Sequence, residues 1–109
     1  MNTPATVIAE LREIRRESAK GIQSLYEAEA KFAELDRAAD VEEAKALIAA
    51  QGTVVDRQAV AKIATADARL AADIAKAEWN RVKAKIRLLE QQQMSVQTEA
   101  RLLELEWRG

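Results

Sequence analysis

Residues 50–56 read Ala50-Gln51-Gly52-Thr53-Val54-Val55-Asp56, close to the midpoint of a 109-residue chain. Glycine ends a helix readily because it can enter the left-handed region, and threonine is a good N-cap for the helix that follows. Asp56 then sits three residues past the cap, where an acidic group favours a helix start. On both sides lie long runs of helix-forming residues. The chain is therefore expected to double back here. The fold class this predicts is all-α: a long antiparallel helical hairpin, coiled-coil-like, that pairs into a dimeric or higher helical bundle.

Working outward, Thr3-Pro4 opens the first helix, with threonine as cap and proline in the first turn. Apolar or small residues recur at Val7, Leu11, Ile14, Ser18, Ile22, Leu25, Ala28, Phe32, Leu35 and Ala39. Nine steps cover 32 residues, a mean of ~3.56, between the straight-helix and coiled-coil repeats. Gly21 lies inside this run at a cost of about 1 kcal/mol relative to alanine, which suits a close helix–helix approach or a hinge. Asp40 and Glu43 have capping-box spacing and mark a possible kink near residues 37–40, whereas Ala38 and Ala39 favour continuation. The expected organisation is one hairpin domain over 1–109: a helix at about 4–51, a turn at 52–53 and a helix at about 54–107.

The second helix shows Val60, Ile63, Ala66, Leu70, Ile74 and Ala77, then Val82, Ile86, Leu89, Gln93, Val96, Ala100, Leu103 and Trp107. The two series are one step out of phase, with Trp79 inside the slip. Folding at Gly52-Thr53 brings Phe32 opposite Ile74, Leu25 opposite Trp79 and Val82, and Leu11 opposite Met94. Phe32 and Trp79 are suited to filling the irregularity.

Composition narrows the function classes. There is no cysteine and no histidine, which removes disulfides, thiolate metal sites and the usual general base. No cofactor is expected. The N-terminus has no charged leader before an apolar run, and no apolar stretch nears the roughly 20 residues that span a bilayer. The expectation is a cytoplasmic protein of a bacterial host cell, with no membrane contact. Residues 1–52 carry seven Lys/Arg against ten Asp/Glu, and residues 53–109 carry ten against eight.

Candidate chemistry is sparse. Glu10, Glu13 and Glu17 share helical spacing and could offer carboxylates to a divalent cation. All-helical nucleotide pyrophosphohydrolases use Glu-x-x-Glu followed by Glu-x-x-Asp; Glu10 and Glu13 match the first half, but no Glu-x-x-Asp occurs in this chain. Arg12, Arg15, Arg16 and Lys20 interleave with these acids as surface ion pairs. Ser18, Ser24 and Ser95 have no histidine to activate them. The expectation is a protein that is not an enzyme, with no catalytic, cofactor or metal residues.

Two surfaces invite partners instead. Leu102, Leu103, Leu105 and Trp107 occupy more than one helix face where the facing helix has nearly run out, and Leu88 and Met94 also stand off the main stripe. Together they are the expected oligomer or protein-partner interface. Gln93 and Ser18 are polar members of the stripes that would fix register. Lys76, Arg81, Lys83, Lys85 and Arg87 form a basic segment around Trp79 and Asn80, the candidate nucleic-acid contacts of an alternative reading.

The stretch Ala50–Ala61 resembles short helical proteins encoded in bacteriophage recombination and replication regions. In that pattern an alanine-rich helix precedes Gly-Thr-Val, then Arg-x-Ala-x-Ala and a long helix ending in a Gln-Ser-like segment. The matching residues are Gly52, Thr53, Val54, Arg57, Ala59 and Ala61, with a looser match at Gln92–Gln97. The likeness spans most of residues 28–107. It implies an accessory role in DNA metabolism or in contacting a host factor, and a protein partner of phage or host. The final Leu-Glu-Leu-Glu-Trp departs from the basic tail that pattern carries.

Overall fold

The computed structural model describes residues 3–108 as an all-α helical hairpin, with α1 at Pro4–Ala49, α2 at Val54–Ala64 and α3 at Ala66–Arg108. At its start, the Thr3 hydroxyl oxygen accepts the Thr6 N–H at 3.2 Å, while Val7 N donates to the Thr3 carbonyl at 3.0 Å. α1 then runs through residues 37–40 without interruption.

Contacts divide the chain into two compact units, Tyr26–Asn80 and the pair of segments Met1–Leu25 and Arg81–Gly109. The first holds the turn. Ala50 N still donates to the Ala46 carbonyl at 2.9 Å, and Gly52 then takes φ +109°. Thr53 is extended (φ −70°, ψ 166°) and its hydroxyl oxygen accepts the Asp56 N–H at 3.2 Å. The Arg57 guanidinium reaches back ten residues to the Leu47 carbonyl, donating through Nη2 at 2.7 Å and Nε at 3.2 Å. A Cβ at Gly52 would force an L residue into a region it rarely adopts. Gly52→Ala is therefore expected to lower unfolding stability by about 1–2 kcal/mol, measured by urea denaturation.

The expected helix at 54–107 is interrupted at Thr65 (φ −106°, ψ 8°), which separates α2 from α3. Its hydroxyl donates to the Ala61 carbonyl at 2.7 Å, and its N–H donates to the same carbonyl at 3.0 Å. A β-branched residue that bonds back to its i−4 carbonyl bends a helix, and here the side chain is buried and needs that bond. The pattern of aliphatic residues carries no sign of this.

The packing seam of the turn unit also differs from expectation. Val60, Ile63, Leu70 and Ile74 are exposed. The covered positions of α2 and α3 include Ala61, Thr65, Ala68, Ala72, Ala75 and Trp79, and those of α1 include Ala28, Phe32, Leu35 and Ala39. Ala39 and Ala61 have no exposed area. Small side chains let two helix backbones approach closely, so a two-helix unit covers alanines more completely than it can cover isoleucines. Phe32 stacks on Trp79, centroids 5.6 Å apart, rather than on Ile74.

In the other unit Val7 and Leu89 are buried and Leu11, Ile14, Ser18, Leu25, Val82, Ile86, Gln93, Val96, Ala100 and Leu103 are half-buried. Gly21, not Ile22, occupies the seam. A Cβ on Gly21 would meet Ile86 Cγ1 at 3.3 Å, so the glycine marks a close helix–helix approach. Leu11 lies by Ala100 and Leu103, and Met94 is exposed, so the expected Leu11–Met94 register is off by more than a turn. With Gly21 and the alanines in place, both seams alternate steps of four and three, from Val7 to Ala39 and from Ala61 to Leu103. That is the heptad repeat of a coiled coil, and the expected phase slip before Val82 does not exist.

Candidate interaction surfaces

The heptad places every residue on a known face, and the outer face of α2–α3 is unusual. Positions alternating by three and four from Val60 to Leu105 lie nearly opposite the seam. All fourteen are exposed, yet only Asp67 and Arg81 are charged. In the turn unit the members include Val60, Ile63, Leu70 and Ile74, and Ile63 keeps 79% of its surface in solvent. In the other unit they include Leu88, Leu102 and Leu105, separated by the uncharged Gln91, Ser95 and Thr98. The equivalent outer positions of α1, twelve from Ala9 to Ile48, include six charged residues, Glu13, Arg16, Lys20, Glu27, Glu34 and Arg37. α1 has the outer face of a solvated helix. On α2 and α3 the outer face is low in charge and exposes aliphatic side chains in each unit.

The residues expected at an oligomer or partner interface differ in exposure. Leu88, Met94, Leu102, Leu105 and Trp107 are exposed, Trp107 at 76%. Leu103 belongs to the seam instead. With Val7, Leu11, Ala100 and Trp107 it lines an apolar cleft of about 300 Å³ between the ends of α1 and α3.

The basic residues separate. Lys76 belongs to the turn unit, whereas Arg81, Lys83, Lys85 and Arg87 belong to the other. Residues two apart on a helix diverge by about 200°, so Arg81 and Lys85 lie on one side of α3 and Lys83 and Arg87 on the other. Lys83 is half-buried, and Arg81 and Lys83 each already make an interaction within the chain. Of the acidic candidates, Glu13 pairs with Arg16 at 2.8 Å. Among the described residues no group of three or more potential ligands could hold a metal ion, and no helix is long and apolar enough to cross a membrane.

Charge is distributed unevenly. The turn unit carries seven Lys/Arg against eleven Asp/Glu, a net of −4; the other carries ten against seven, a net of +3. Within the turn unit Arg69 binds Asp36 at 2.8 Å and Asp40 at 2.7 Å, with Glu43 at 3.9 Å. The hydrogen bond to Asp40, together with that to Asp36, raises the guanidinium above its ordinary pKa. This cluster ties α1 to α3 but consumes only one of the excess carboxylates' possible partners.

Pattern reading missed the outer stripe because it assigned Val60, Ile63, Leu70 and Ile74 to the core. The signal that could have found it is the strict alternation of Ala61, Ala68, Ala72 and Ala75 with Val82, which leaves the aliphatic residues on the opposite side. No family model, no curated protein and no solved structure matches this chain.

Proposed function

We propose that this chain is a non-enzymatic helical adaptor of phage or prophage origin. It acts in the bacterial cytoplasm through oligomeric protein–protein binding, on a DNA-processing protein or a host factor. The observation that carries the reading is the exposed aliphatic set on the outer face of α2 and α3, Val60, Ile63, Leu70 and Ile74 in the turn unit and Leu88, Leu102 and Leu105 in the other. A patch of that kind marks association rather than chemistry. The phage assignment and the DNA-metabolism setting come from the resemblance around Gly52, Thr53 and Arg57. Leu105 and Trp107, with the cleft beside them, supply the anchor for a partner side chain or helix.

The test is capture from a bacterial lysate by the wild-type chain and by a Leu105→Glu/Trp107→Glu variant, each with and without nuclease. Both positions are exposed, so the variant's circular dichroism should match wild type. Loss of the captured protein in the variant, with nuclease making no difference, is the expected result. Capture that the variant leaves unchanged would refute the reading. Capture that disappears with nuclease and weakens steeply with salt would instead favour nucleic-acid binding through Lys76, Arg81, Lys83, Lys85 and Arg87.

A further inference from the structure

We infer that one broad side of the unit formed by Met1–Leu25 and Arg81–Gly109 binds the phosphate backbone of duplex nucleic acid, through Arg12 and Arg15 of α1 and Arg87 and Arg101 of α3. The inference goes beyond the adaptor reading and does not rest on it. With the seam residues as heptad positions a and d, positions b and e lie to one side of each helix and c and g to the other. Ile8 and Glu104, both e, line the same cleft, so the b and e positions of the two helices share one side of the unit. That side holds Arg12, Arg15, Lys83, Arg87, Arg101 and Arg108 against Glu90 and Glu104, a net of +4. The c and g side carries three Lys/Arg against five Asp/Glu, a net of −2. The unit's positive excess is therefore gathered largely on one side. Of the basic segment expected to contact nucleic acid, only Lys83 and Arg87 belong to it.

Most of that charge lacks a partner within the chain. Arg108 pairs with Glu104 at 2.6 Å, and Lys83 makes an interaction of its own. Among the described residues, Arg12, Arg15, Arg87 and Arg101 form no ion pair or hydrogen bond, and all four are exposed. Arg12 and Arg15, with Arg16, line a shallow open hollow. Leu11 lies by Ala100 and Leu103, and Gly21 by Ile86 and Leu89, which sets residues whose numbers sum to about 110 opposite one another. Arg101, Arg12, Arg15 and Arg87 then follow in that order along the unit, over about 21 Å at 1.5 Å per residue. A straight row of that length runs beside about six nucleotides of one strand of a duplex. Two features select the duplex among polyanions. The b and e positions of this unit hold no aromatic residue, whereas binding of single strands draws on stacking against aromatic rings. Their large apolar members, Ile8, Ile22 and Met94, are interspersed with charges and form no continuous apolar face of the kind that seats a basic helix in a lipid surface.

The test is fluorescence anisotropy of a labelled duplex of arbitrary sequence, about 24 base pairs long, titrated with the full chain between about 50 and about 200 mM salt. Four phosphate contacts predict a slope of log Kobs on log salt of about −3.6, so binding should weaken about a hundredfold over that range. Arg12→Gln/Arg15→Gln and Arg87→Gln/Arg101→Gln each remove two contacts. Each should bring the slope to about −1.8 and weaken binding at the lower salt at least about tenfold. Lys20→Gln/Lys85→Gln removes the same charge from the c and g side and should change binding less than about threefold. All six positions are exposed, so circular dichroism should match wild type in every variant. Absence of duplex binding at the lower salt would overturn the inference, as would a Lys20/Lys85 variant weakened as much as the arginine variants. Tighter binding, at equal phosphate, to phosphatidylglycerol vesicles than to the duplex would assign the surface to lipid and overturn it as well.

Discussion

Ala72→Leu should be among the most damaging single substitutions in this chain, lowering the melting temperature by roughly 5–20 °C. Ala72 is buried on the α3 side of the turn unit, where Ala39, Ala61 and Ala75 are buried as well. Alanine side chains covered this completely mean that the facing backbone lies close above them. Leucine has nearly the same helix propensity as alanine, so the change does not act through the isolated helix. It acts by adding three heavy atoms where no space exists, and the helices must separate or the side chain must leave its rotamer. Overpacking of a well-filled core costs about 1–3 kcal/mol, and separating the helices would also strain the Arg69 contacts to Asp36 and Asp40. The same substitution at Ala30, exposed on α1, is the control and should leave the melting temperature within a degree or two. Both variants are measured at one protein concentration, because association stabilises by mass action. Equal melting temperatures for the two would show that the alanine seam is not close-packed.

That prediction depends on a feature the residue pattern hid. The turn was legible because its chemistry is local: Gly52 supplies the positive φ and Thr53 the cap, and few other residues could do either. The helical character of both flanks was legible for the same reason. The seam was not, because choosing which face is buried requires weighing large aliphatic side chains against small ones. Hydrophobicity alone favours Val60, Ile63, Leu70 and Ile74 as core. Two helices with no third neighbour favour alanine, since only small residues allow the backbones to meet. The same weighting favours Ile22 over Gly21, whereas Ile22 is exposed and Gly21 lies against Ile86. Thr65 was invisible because its effect comes from a hydroxyl competing for the Ala61 carbonyl, which no periodicity reports. Of the candidate surface, the exposed residues Leu102, Leu105 and Trp107 were legible at a helix end where the facing chain runs out. The stripe in the turn unit became visible only once the alanines had claimed the seam.

Arg57→Ala should lower unfolding stability by about 1.5–3 kcal/mol, although the residue lies on the helix just after the turn and could pass for an ordinary surface cation. Its guanidinium donates twice to the Leu47 carbonyl, at 2.7 and 3.2 Å. That carbonyl belongs to the last turn of α1, whose terminal acceptors have no partner within the helix. Arg57 therefore supplies a positive charge and two donors to the negative end of α1, and clips that end to α2. Removing it leaves a half-buried carbonyl without its donors and loosens the hairpin where the chain reverses. Lysine can restore the charge but offers a single point donor on a flexible stem, so Arg57→Lys should recover only part of the loss. Urea unfolding of the wild type, the alanine variant and the lysine variant gives the three values. If Arg57→Ala matched wild type, the contact would carry no stability, and Arg57 in its Gly-Thr-Val-x-x-Arg setting would need an explanation in partner binding. If the expected loss is seen, Gly52 by its φ, Thr53 by its cap and Arg57 by its clip each account for their place in that stretch through turn closure. The features that point to a partner are then the outer stripe and the exposed C-terminal residues, which play no part in closing the turn.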